Sequence, residues 1–502
     1  MKENIIRKPG ITLAILTAAV WLIGSIPEIP GVSNTIFKCI SVILLFAVPF
    51  LFYKFRKNYD NDDRFELYAF IIIITGFLFR AMYVLVMPYN LSTHDIGTFP
   101  PDGIGRIDDG HLGYISYLYN FRHLPDFDPR EKWSYYNPPG FHITEAVWYG
   151  FNRLLGFSQN VCRENLQIPT LVFSTGIVIA AYKIMLELFP KNKNLLIMLG
   201  FVSYLPYFTV ISKVVNNDTL AAMLYMVSIL YTIRWHKTHD VKNICIIALT
   251  VALGMFTKMN NALSAFPIGF VFIYDMIKDR KTFRKYLLQF VLFLAICAPL
   301  ALFWPIRNYV MYGMAPNYVQ RPSDSFFMYM GDIDRIKYIG LPSIDCITYP
   351  FVEQTPGTNY NLWLQLIKTG LWDEFNPDEP SLVIIAIAVI YMWSAIAMWI
   401  ISFISFVRML CGKKTLNTGL RIFFTILFAT LIISEVSFTF AYPFVCTMDF
   451  RYIIPIILMP CVAMCSLMNR PSLRKREVKV LRLFFGIFTL FSLFGNVLVT
   501  MY

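Results

Sequence analysis

The sequence predicts an all-α membrane protein that crosses the bilayer many times. Hydrophobic residues make up 57% of the 502 residues and charged residues only 15%, and the mean hydropathy is +0.55, which excludes an ordinary soluble globule. Hydrophobic runs of roughly 17 to 25 residues can cross a bilayer core of ~30 Å as helices. About thirteen such runs occur, near 11–25, 36–54, 64–87, 166–188, 194–212, 218–235, 243–257, 261–278, 286–305, 381–407, 421–441, 451–469 and 480–500.

The net charge of +12 is explained by membrane topology. Most of the 44 Lys and Arg residues fall in short segments beside or between the hydrophobic runs. In the thirteen-span arrangement these segments all lie on one side of the membrane, as the positive-inside rule requires of cytoplasmic loops. The sequence therefore predicts a cytoplasmic N-terminus and an extracytoplasmic C-terminus. No nucleic-acid partner is expected.

Two long connections stand out from the short ones, and the topology predicts that both are extracytoplasmic. They comprise residues 88–165 and 306–380, and both are rich in Tyr, Trp, Phe and Pro. This composition favours ordered caps on the outer membrane face over disordered loops. Apolar residues at helical spacing predict short interfacial helices within 110–124 and 139–155.

The first long loop concentrates titratable chemistry. It contains nine of the 32 acidic residues and four of the six histidines. Asp95 follows the third predicted span closely enough to lie at the outer membrane surface. Neighbouring acids and histidines make a general base or a metal-binding cluster a reasonable hypothesis; a solvated loop carboxylate is the alternative. The residues concerned are His94, Asp95, Asp108, Asp109 and His111.

A second informative set consists of basic residues on the outer side, where the positive-inside rule disfavours them. Each one taken singly is explained by a side chain that reaches the lipid headgroups. Several converging would instead form a cationic pocket at headgroup depth, suited to a lipid phosphate. The candidates for binding this phosphate are Lys258, Arg307, Arg451 and Arg80.

Several short motifs follow one another in an order that resembles a known family. Together they are similar to the GT-C superfamily of integral-membrane glycosyltransferases, and the nearest branch contains the bacterial relatives of protein O-mannosyltransferases and of the lipid A aminoarabinose transferase. The motifs are THD (93–95), DDGHLGYISYL (108–118), HLPDFDP (123–129), YYNPPGFH (135–142), VVNNDTL (214–220), GMFTKMNNA (254–262), WPIRNYVMYGMAP (304–316), LIKTGLWDEF (366–375) and MDFRYIIP (448–455).

The resemblance implies a GT-C fold and a division of the chain into four parts. Residues 64–305, with the outer loop 88–165, would form the seven-span glycosyltransferase module. Two additional helices would precede it within 1–63, the second outer loop would follow at 306–380, and four helices would form the membrane region 381–502. The resemblance also implies a plasma-membrane enzyme of bacterial type.

The implied reaction transfers a sugar from a polyprenyl-phosphate donor to a hydroxyl acceptor on the outer face, with inversion at the anomeric carbon. A first-loop acid serves as the base in this family. Asp95 fits by its position after the span and Asp109 by its place before the Tyr and Pro-Pro pattern, so the choice stays open, with His94 beside Asp95. The family's usual Asp-Glu pair is absent. Candidate substrate-binding residues are Asp108, His111, Tyr114, Tyr136 and His142.

The sequence is compatible with more than one answer on metal dependence and on the class of protein. Asp95, Asp109 and His111 offer ligands for a divalent metal, although their spacing forms no compact motif. A transporter or flippase for lipid-linked glycans would concentrate polar groups in broken helices at mid-membrane, whereas here they gather in the outer loops. A non-catalytic membrane scaffold is the third reading. The sugar and the acceptor, whether protein, lipid or cell-surface glycan, are not specified by the sequence.

Overall fold

The computed structural model describes residues 9–26, 34–91, 94–99, 109–190, 192–357, 359–411, 416–470 and 473–501. These residues form α-helices, short 3₁₀ helices and connecting loops. Within this described part of the chain the only β-type pairing is a single bridge between Tyr329 and Phe444. The predicted all-α architecture is therefore confirmed.

The helices divide into three groups along the chain. The N-terminal group and the first long loop contain α1 (Pro9–Ser25), α2 (Asn34–Leu45), α3 (Ala47–Lys54), α4 (Asn61–Val86), α5 (Gly110–Phe121), α6 (Gly140–Leu154) and α7 (Gln159–Glu164). The central group contains α8 (Gln167–Leu188), α9 (Lys193–Ser203), α10 (Pro206–Val210), α11 (Asp218–Thr238), α12 (Val241–Thr257), α13 (Ala265–Lys278) and α14 (Phe283–Tyr312). The last group contains α15 (Arg335–Ile339), α16 (Leu362–Trp372), α17 (Leu382–Cys411), α18 (Thr418–Ala441), α19 (Leu458–Met468) and α20 (Lys475–Met501).

Seven helical stretches in the described residues are long and apolar enough to cross a membrane, or eight if one bent pair counts as a single span. They correspond to the predicted runs 36–54, 64–87, 166–188, 286–305, 381–407, 421–441 and 480–500, and the bent pair to 451–469. The chain is therefore a multi-pass membrane protein. The other five runs form shorter, broken or more polar helices, so the count of thirteen stays a prediction.

Two of the predicted spans are interrupted at proline. The run 194–212 forms α9 and α10, which are separated by Tyr204 and Leu205, because Pro206 lacks the backbone N–H that a continuous helix needs. The run 451–469 begins as two 3₁₀ turns, the second of which contains Pro455, and becomes α-helical only at Leu458. The bend between Val445–Tyr452 and Ile454–Met468 is 58°.

The central helices pack as a bundle around α12, which contacts both α11 and α14. Trp235 of α11 is fully buried there and donates a hydrogen bond to Gln289 of α14 (2.7 Å). The first long loop has a hydrophobic core of its own, and the two short helices predicted within it are present as α5 and α6. Their buried side chains include Tyr114, Ile115, Tyr135, Phe141 and Tyr149.

The start of α5 is held against residues 95–97 by close backbone contacts. The N–H groups of His111 and Leu112 donate to the carbonyls of Asp95 (3.0 Å) and Ile96 (2.9 Å). These bonds satisfy two N–H groups of the first helical turn that have no acceptor within the helix. Gly97 and Gly110 have φ of +63° and +83°. A Cβ on Gly97 would lie 1.8 Å from the carbonyl oxygen of Asp109, so this approach requires glycine.

Candidate active site

A cavity of about 200 Å³ lies where the first long loop meets the ends of several long helices. Five of the side chains predicted for the site line this cavity, and they come from separate parts of the chain: Asp95, His111, Tyr136, Lys258 and Arg451. The wall also includes Asp218 at the start of α11, Trp304 and Pro305 of α14, and Glu435 of α18. The structure thus brings together an acid from the first loop and two cations from the far half of the sequence.

The backbone that presents Asp95 has an uncommon conformation. His94 and Asp95 both have positive φ values, +69° and +59°, a region that non-glycine residues seldom occupy without support from their surroundings. The support for Asp95 comes from the His111 N–H on its carbonyl. The support for His94 comes from its side chain, which is buried and contacts Asp373 and Glu374. The carboxylate of Asp95 is therefore carried by a segment that is fixed on both sides.

The two cations share one aromatic ring. The Lys258 ammonium and the Arg451 guanidinium each lie 4.9 Å from the centre of the Tyr452 ring, and Arg451 also donates to the Tyr452 hydroxyl (2.7 Å). Lys258 forms an ion pair with Asp218. Both cations line the cavity, so a phosphate there would meet two positive charges. Lys258 is paired with Asp218 and Arg451 with Asp449.

The other two predicted phosphate ligands lie elsewhere. Arg80 is fully buried, and its Nη1 donates to the Ser203 carbonyl (3.0 Å), which joins α4 to α9. Arg307 donates to the Pro125 carbonyl and to the Asn308 side chain (2.7 Å), so it fixes the first long loop to α14. Neither side chain is among those that line the cavity.

Asp109 is separated from the cavity although it is close to His111 in sequence. It precedes α5, its side chain is 57% exposed, and its Oδ1 accepts a hydrogen bond from the Trp133 N–H (3.1 Å). The helix turns the side chains that follow inward, whereas Asp109 stays exposed just before the start of α5. Asp108, which was predicted to bind substrate, lies outside the described residues.

A stack of four rings supports the wall of the cavity from behind. His111 Nδ1 lies 2.9 Å from His142 Nε2, and the two rings are nearly parallel. Tyr114 stacks on His142 (centroids 4.2 Å apart) and on Tyr135 (4.5 Å). Burial lowers the pKa of His111 to about 4 and also lowers that of His142, so both rings are neutral at neutral pH. One imidazole then donates a hydrogen bond to the other.

Three acids near the site were not singled out from the sequence, namely Asp373, Glu374 and Asp449. Asp373 and Glu374 follow α16, and Asp449 precedes a 3₁₀ turn. Burial and the Arg451 charge oppose protonation of His94, but Asp373 and Glu374 outweigh them and raise the pKa of His94 well above its usual value. Burial alone would raise the pKa of Glu374, yet the His94 charge and hydrogen bond lower it to about 2. The motifs GLWDEF and MDFRY contained these acids, but nothing in their spacing connected them to His94.

The predicted metal ligands Asp95, Asp109 and His111 do not form a cluster. In the described part of the chain, the one group of three side chains whose ligand atoms lie close enough to share an ion is His94, Asp373 and Asp449. The predicted set fails to converge because Asp109 is directed toward Trp133 at the exposed start of α5.

Residues 146–304 match the family model of the dolichyl-phosphate-mannose-protein mannosyltransferases. This segment runs from α6 to α14 and carries Asp218, Lys258 and Trp304 of the cavity wall. The match confirms the resemblance to GT-C glycosyltransferases that the sequence predicted.

Two solved structures from Archaeoglobus fulgidus align with this chain. The apo oligosaccharyltransferase gives a TM-score of 0.45 at 10% identity and covers 86% of this chain and 56% of its own. The oligosaccharyltransferase AglB in complex with an inhibitory peptide and a dolichol-phosphate gives 0.39 at 13% identity, with 86% and 55% covered. This chain thus spans little more than half the length of either structure. Among curated protein sequences none matches it.

Proposed function

We propose that this protein transfers a sugar from a polyprenyl-phosphate donor to a hydroxyl acceptor, with inversion at the anomeric carbon and with Asp95 as the general base. The observation that carries this proposal is that Asp95, Lys258 and Arg451 line one cavity of about 200 Å³. A base and a phosphate site on one cavity are what a single displacement at the anomeric carbon requires. The family match supports a phosphate-linked sugar as donor.

The two faces of α14 suggest how such a donor is held. Trp304 and Pro305 face the cavity. Phe303, Ile306 and Val310 border an apolar groove of about 620 Å³ on another face of the same helix. A donor whose phosphate binds Lys258 and Arg451 would extend its isoprenoid tail along this groove. The bilayer is the source of such a lipid, and the groove offers apolar surface for its chain.

In the reaction, the acceptor hydroxyl gives its proton to the Asp95 carboxylate while its oxygen attacks the anomeric carbon. The bond between the anomeric carbon and the phosphate oxygen breaks, and the bonding electrons leave with the polyprenyl phosphate. Lys258 and Arg451 stabilise the negative charge that develops on this leaving group. The attacking oxygen enters opposite the leaving oxygen, so the configuration inverts.

The proposal places the reaction on the extracytoplasmic face of a bacterial plasma membrane, with the N-terminus in the cytoplasm. It also keeps residues 64–305 as the glycosyltransferase module, preceded by two additional helices and followed by the second outer loop and the C-terminal membrane region. The acceptor can be a protein, a lipid or a cell-surface glycan. His111 and Tyr136 are the substrate contacts that the cavity wall favours, because both line it.

Mass spectrometry of lipids that copurify with the detergent-solubilised protein tests the proposal. The Asp95→Asn variant should retain a polyprenyl-phosphate sugar, whereas the wild type should carry the spent polyprenyl phosphate. Turnover should fall by roughly 10² to 10⁴ in the variant. Asp109→Asn makes the same change at an exposed position just before α5 and should behave as wild type. Unchanged turnover in Asp95→Asn, or a diphosphate-linked oligosaccharide bound to both proteins, would contradict the proposal and favour a scaffold or a flippase.

A further inference from the structure

A second polar centre lies next to Asp95 in the chain, where three separate segments meet. His94 comes from the first long loop, Asp373 and Glu374 follow α16, and Asp449 lies in the turn before a 3₁₀ helix. His94 Nε2 is 2.9 Å and 3.0 Å from the two carboxylate oxygens of Asp373, and His94 Nδ1 is 3.2 Å from Glu374 Oε1. Ligand atoms of His94, Asp373 and Asp449 all lie within 4.8 Å of one another, and the three residues are buried.

A small polar cavity adjoins this centre. Its volume is about 10 Å³, close to one water-sized sphere, and its lining includes Glu374, Asp449 and Gln365. Asp449 Oδ2 and Gln365 Oε1 are buried and accept no hydrogen bond from the described part of the chain. Arg451 forms an ion pair with Asp449, but its Nε is 3.8 Å from Oδ2, which is too far for a hydrogen bond. A buried oxygen without a hydrogen bond is costly, and a bound cation would satisfy both of these oxygens.

We propose that this centre binds one divalent transition-metal cation, with His94, Asp373 and Asp449 as ligands and with Glu374 beside the other ring nitrogen of His94. One imidazole combined with carboxylates suits Mn²⁺ or Zn²⁺ better than Mg²⁺ or Ca²⁺, which prefer oxygen ligands alone. Metal–ligand bonds of roughly 2.1 Å separate neighbouring ligand atoms by ~3 Å and opposite ones by ~4.2 Å. The distances of 3.0 Å and 2.9 Å between His94 Nε2 and the two Asp373 oxygens match neighbouring ligand positions in such a site.

The charges at the centre are compatible with a cation. Three carboxylates, those of Asp373, Glu374 and Asp449, lie around the His94 imidazole and the Arg451 guanidinium. An ion would bind the first loop, the segment after α16 and the segment before α19 to one another. It would thereby hold the left-handed backbone of His94 and Asp95. Metal binding can be measured separately from the proposed transfer reaction, because the proposed ligands do not include Asp95, Lys258 or Arg451.

Direct Mn²⁺ titration of the full-length protein in detergent, after treatment with a chelator, tests this proposal. Electron paramagnetic resonance of free Mn²⁺ should reveal one saturable site per chain, from which Zn²⁺ displaces Mn²⁺. His94→Gln and Asp449→Asn should each weaken binding at least roughly tenfold. Glu145→Gln changes a buried carboxyl of α6 and should leave the affinity unchanged. Asp95→Asn should also bind Mn²⁺ as wild type, whatever its turnover.

Thermal unfolding of each variant without metal establishes that it is folded, and added Mn²⁺ should raise the Tm of the wild type but not that of His94→Gln. If Asp449→Asn does not fold, His94→Gln and the wild-type stoichiometry decide the matter. The proposal is overturned if the wild type shows no saturable Mn²⁺ or Zn²⁺ site, because His94 then forms only an ion pair with the acids. Binding that survives unchanged in folded His94→Gln and Asp449→Asn overturns it as well. Loss of transferase activity with Mn²⁺ binding intact would instead bear on the proposed function.

Discussion

Lys258 illustrates how one side chain can serve both stability and binding. Its ammonium pairs with Asp218 and faces the cavity over the Tyr452 ring. Removing it alone would leave the buried Asp218 carboxylate without its ion-pair partner, and loss of one partner of a buried pair typically costs about 3–5 kcal/mol. A single substitution would therefore confuse a folding defect with a binding defect, and the neutral pair is the better test.

We expect Lys258→Met combined with Asp218→Asn to fold and to bind the donor roughly 10 to 100 times more weakly, because one charge-assisted hydrogen bond to phosphate is lost. Binding of a fluorescent polyprenyl phosphate in detergent measures this. Arg321→Ala is the control, since Arg321 pairs with Asp324 and lines neither the cavity nor the apolar groove of α14. Donor affinity equal to wild type in the double variant would exclude Lys258 from the phosphate site.

Glu145 predicts a dependence of stability on pH. Both of its carboxylate oxygens are buried without a hydrogen bond from the described residues, and burial raises its pKa well above the usual value of 4.5. The unfolded chain releases this proton near pH ~4.3, whereas the folded protein keeps it. Between these two pKa values the folded state binds more protons, so stability is complete below the lower one and falls as pH rises, by up to about 1.4 kcal/mol per pH unit.

Glu145→Gln removes the ionisable group while keeping its shape. The variant should have a higher Tm than the wild type at pH 8, and the difference should shrink toward pH 4.5. Glu131→Gln changes an exposed acid of the same loop and should give no such difference. Melting curves of the three proteins from pH 4.5 to 8 provide the measurement. A Tm difference between the wild type and Glu145→Gln that stays the same at every pH would disprove a buried neutral carboxyl.

At the scale of elements, α1 supports the first long loop from the membrane side. Trp21 donates a hydrogen bond to the Asn152 side chain (2.9 Å) and packs against Trp148, with ring centroids 5.5 Å apart. Asn165 donates to Asn152 (2.8 Å) and to Ser25 (2.9 Å). The side-chain oxygen of the fully buried Asn152 thus joins α1 and α6 to Asn165, which lies just before α8. This arrangement gives a structural role to one of the two helices that precede the predicted module.

Asn152→Ala should lower the free energy of unfolding by about 1–3 kcal/mol, because the Trp21 N–H and one Asn165 N–H then lose their acceptor. Asn120→Ala, at an exposed position of α5, should change it by less than ~0.5 kcal/mol. Chemical denaturation in detergent measures both. In a double-mutant cycle with Trp21→Phe, additive effects would show that the hydrogen bond between α1 and α6 contributes nothing.

The elements differ in how far the sequence could predict them. Long apolar runs such as 64–87 and 381–407 were recognisable because length and hydropathy are local properties. The runs 194–212 and 451–469 looked equally continuous, but the places where they break depend on how Pro206 and Pro455 pack. Residues of the site show the same limit. Asp95 and Lys258 were identified from their positions at the ends of spans, whereas the pairing of His94 with Asp373, 279 residues away, has no local signal.

At the scale of the whole molecule, the reaction proposed here requires that all cavity-lining loops lie on one side of the membrane. The chain supplies a native reporter for the opposite side in Cys411, which is exposed at the end of α17. Leu341, 95% exposed in the second long loop, offers a matched reporter for the cavity side. The helix α17 connects the two regions, so a span there places the two thiols in different compartments.

In intact cells a membrane-impermeant maleimide should therefore label the Leu341→Cys variant at position 341, whereas Cys411 should react only after the membrane is permeabilised. Peptide mapping by mass spectrometry identifies which cysteine carries the label, and Cys411→Ser should abolish the signal that appears on permeabilisation. Labelling of Cys411 in intact cells together with protection of position 341 would reverse the topology. The cavity would then face the cytoplasm, and a donor and an acceptor in that compartment would have to replace the extracytoplasmic ones proposed here.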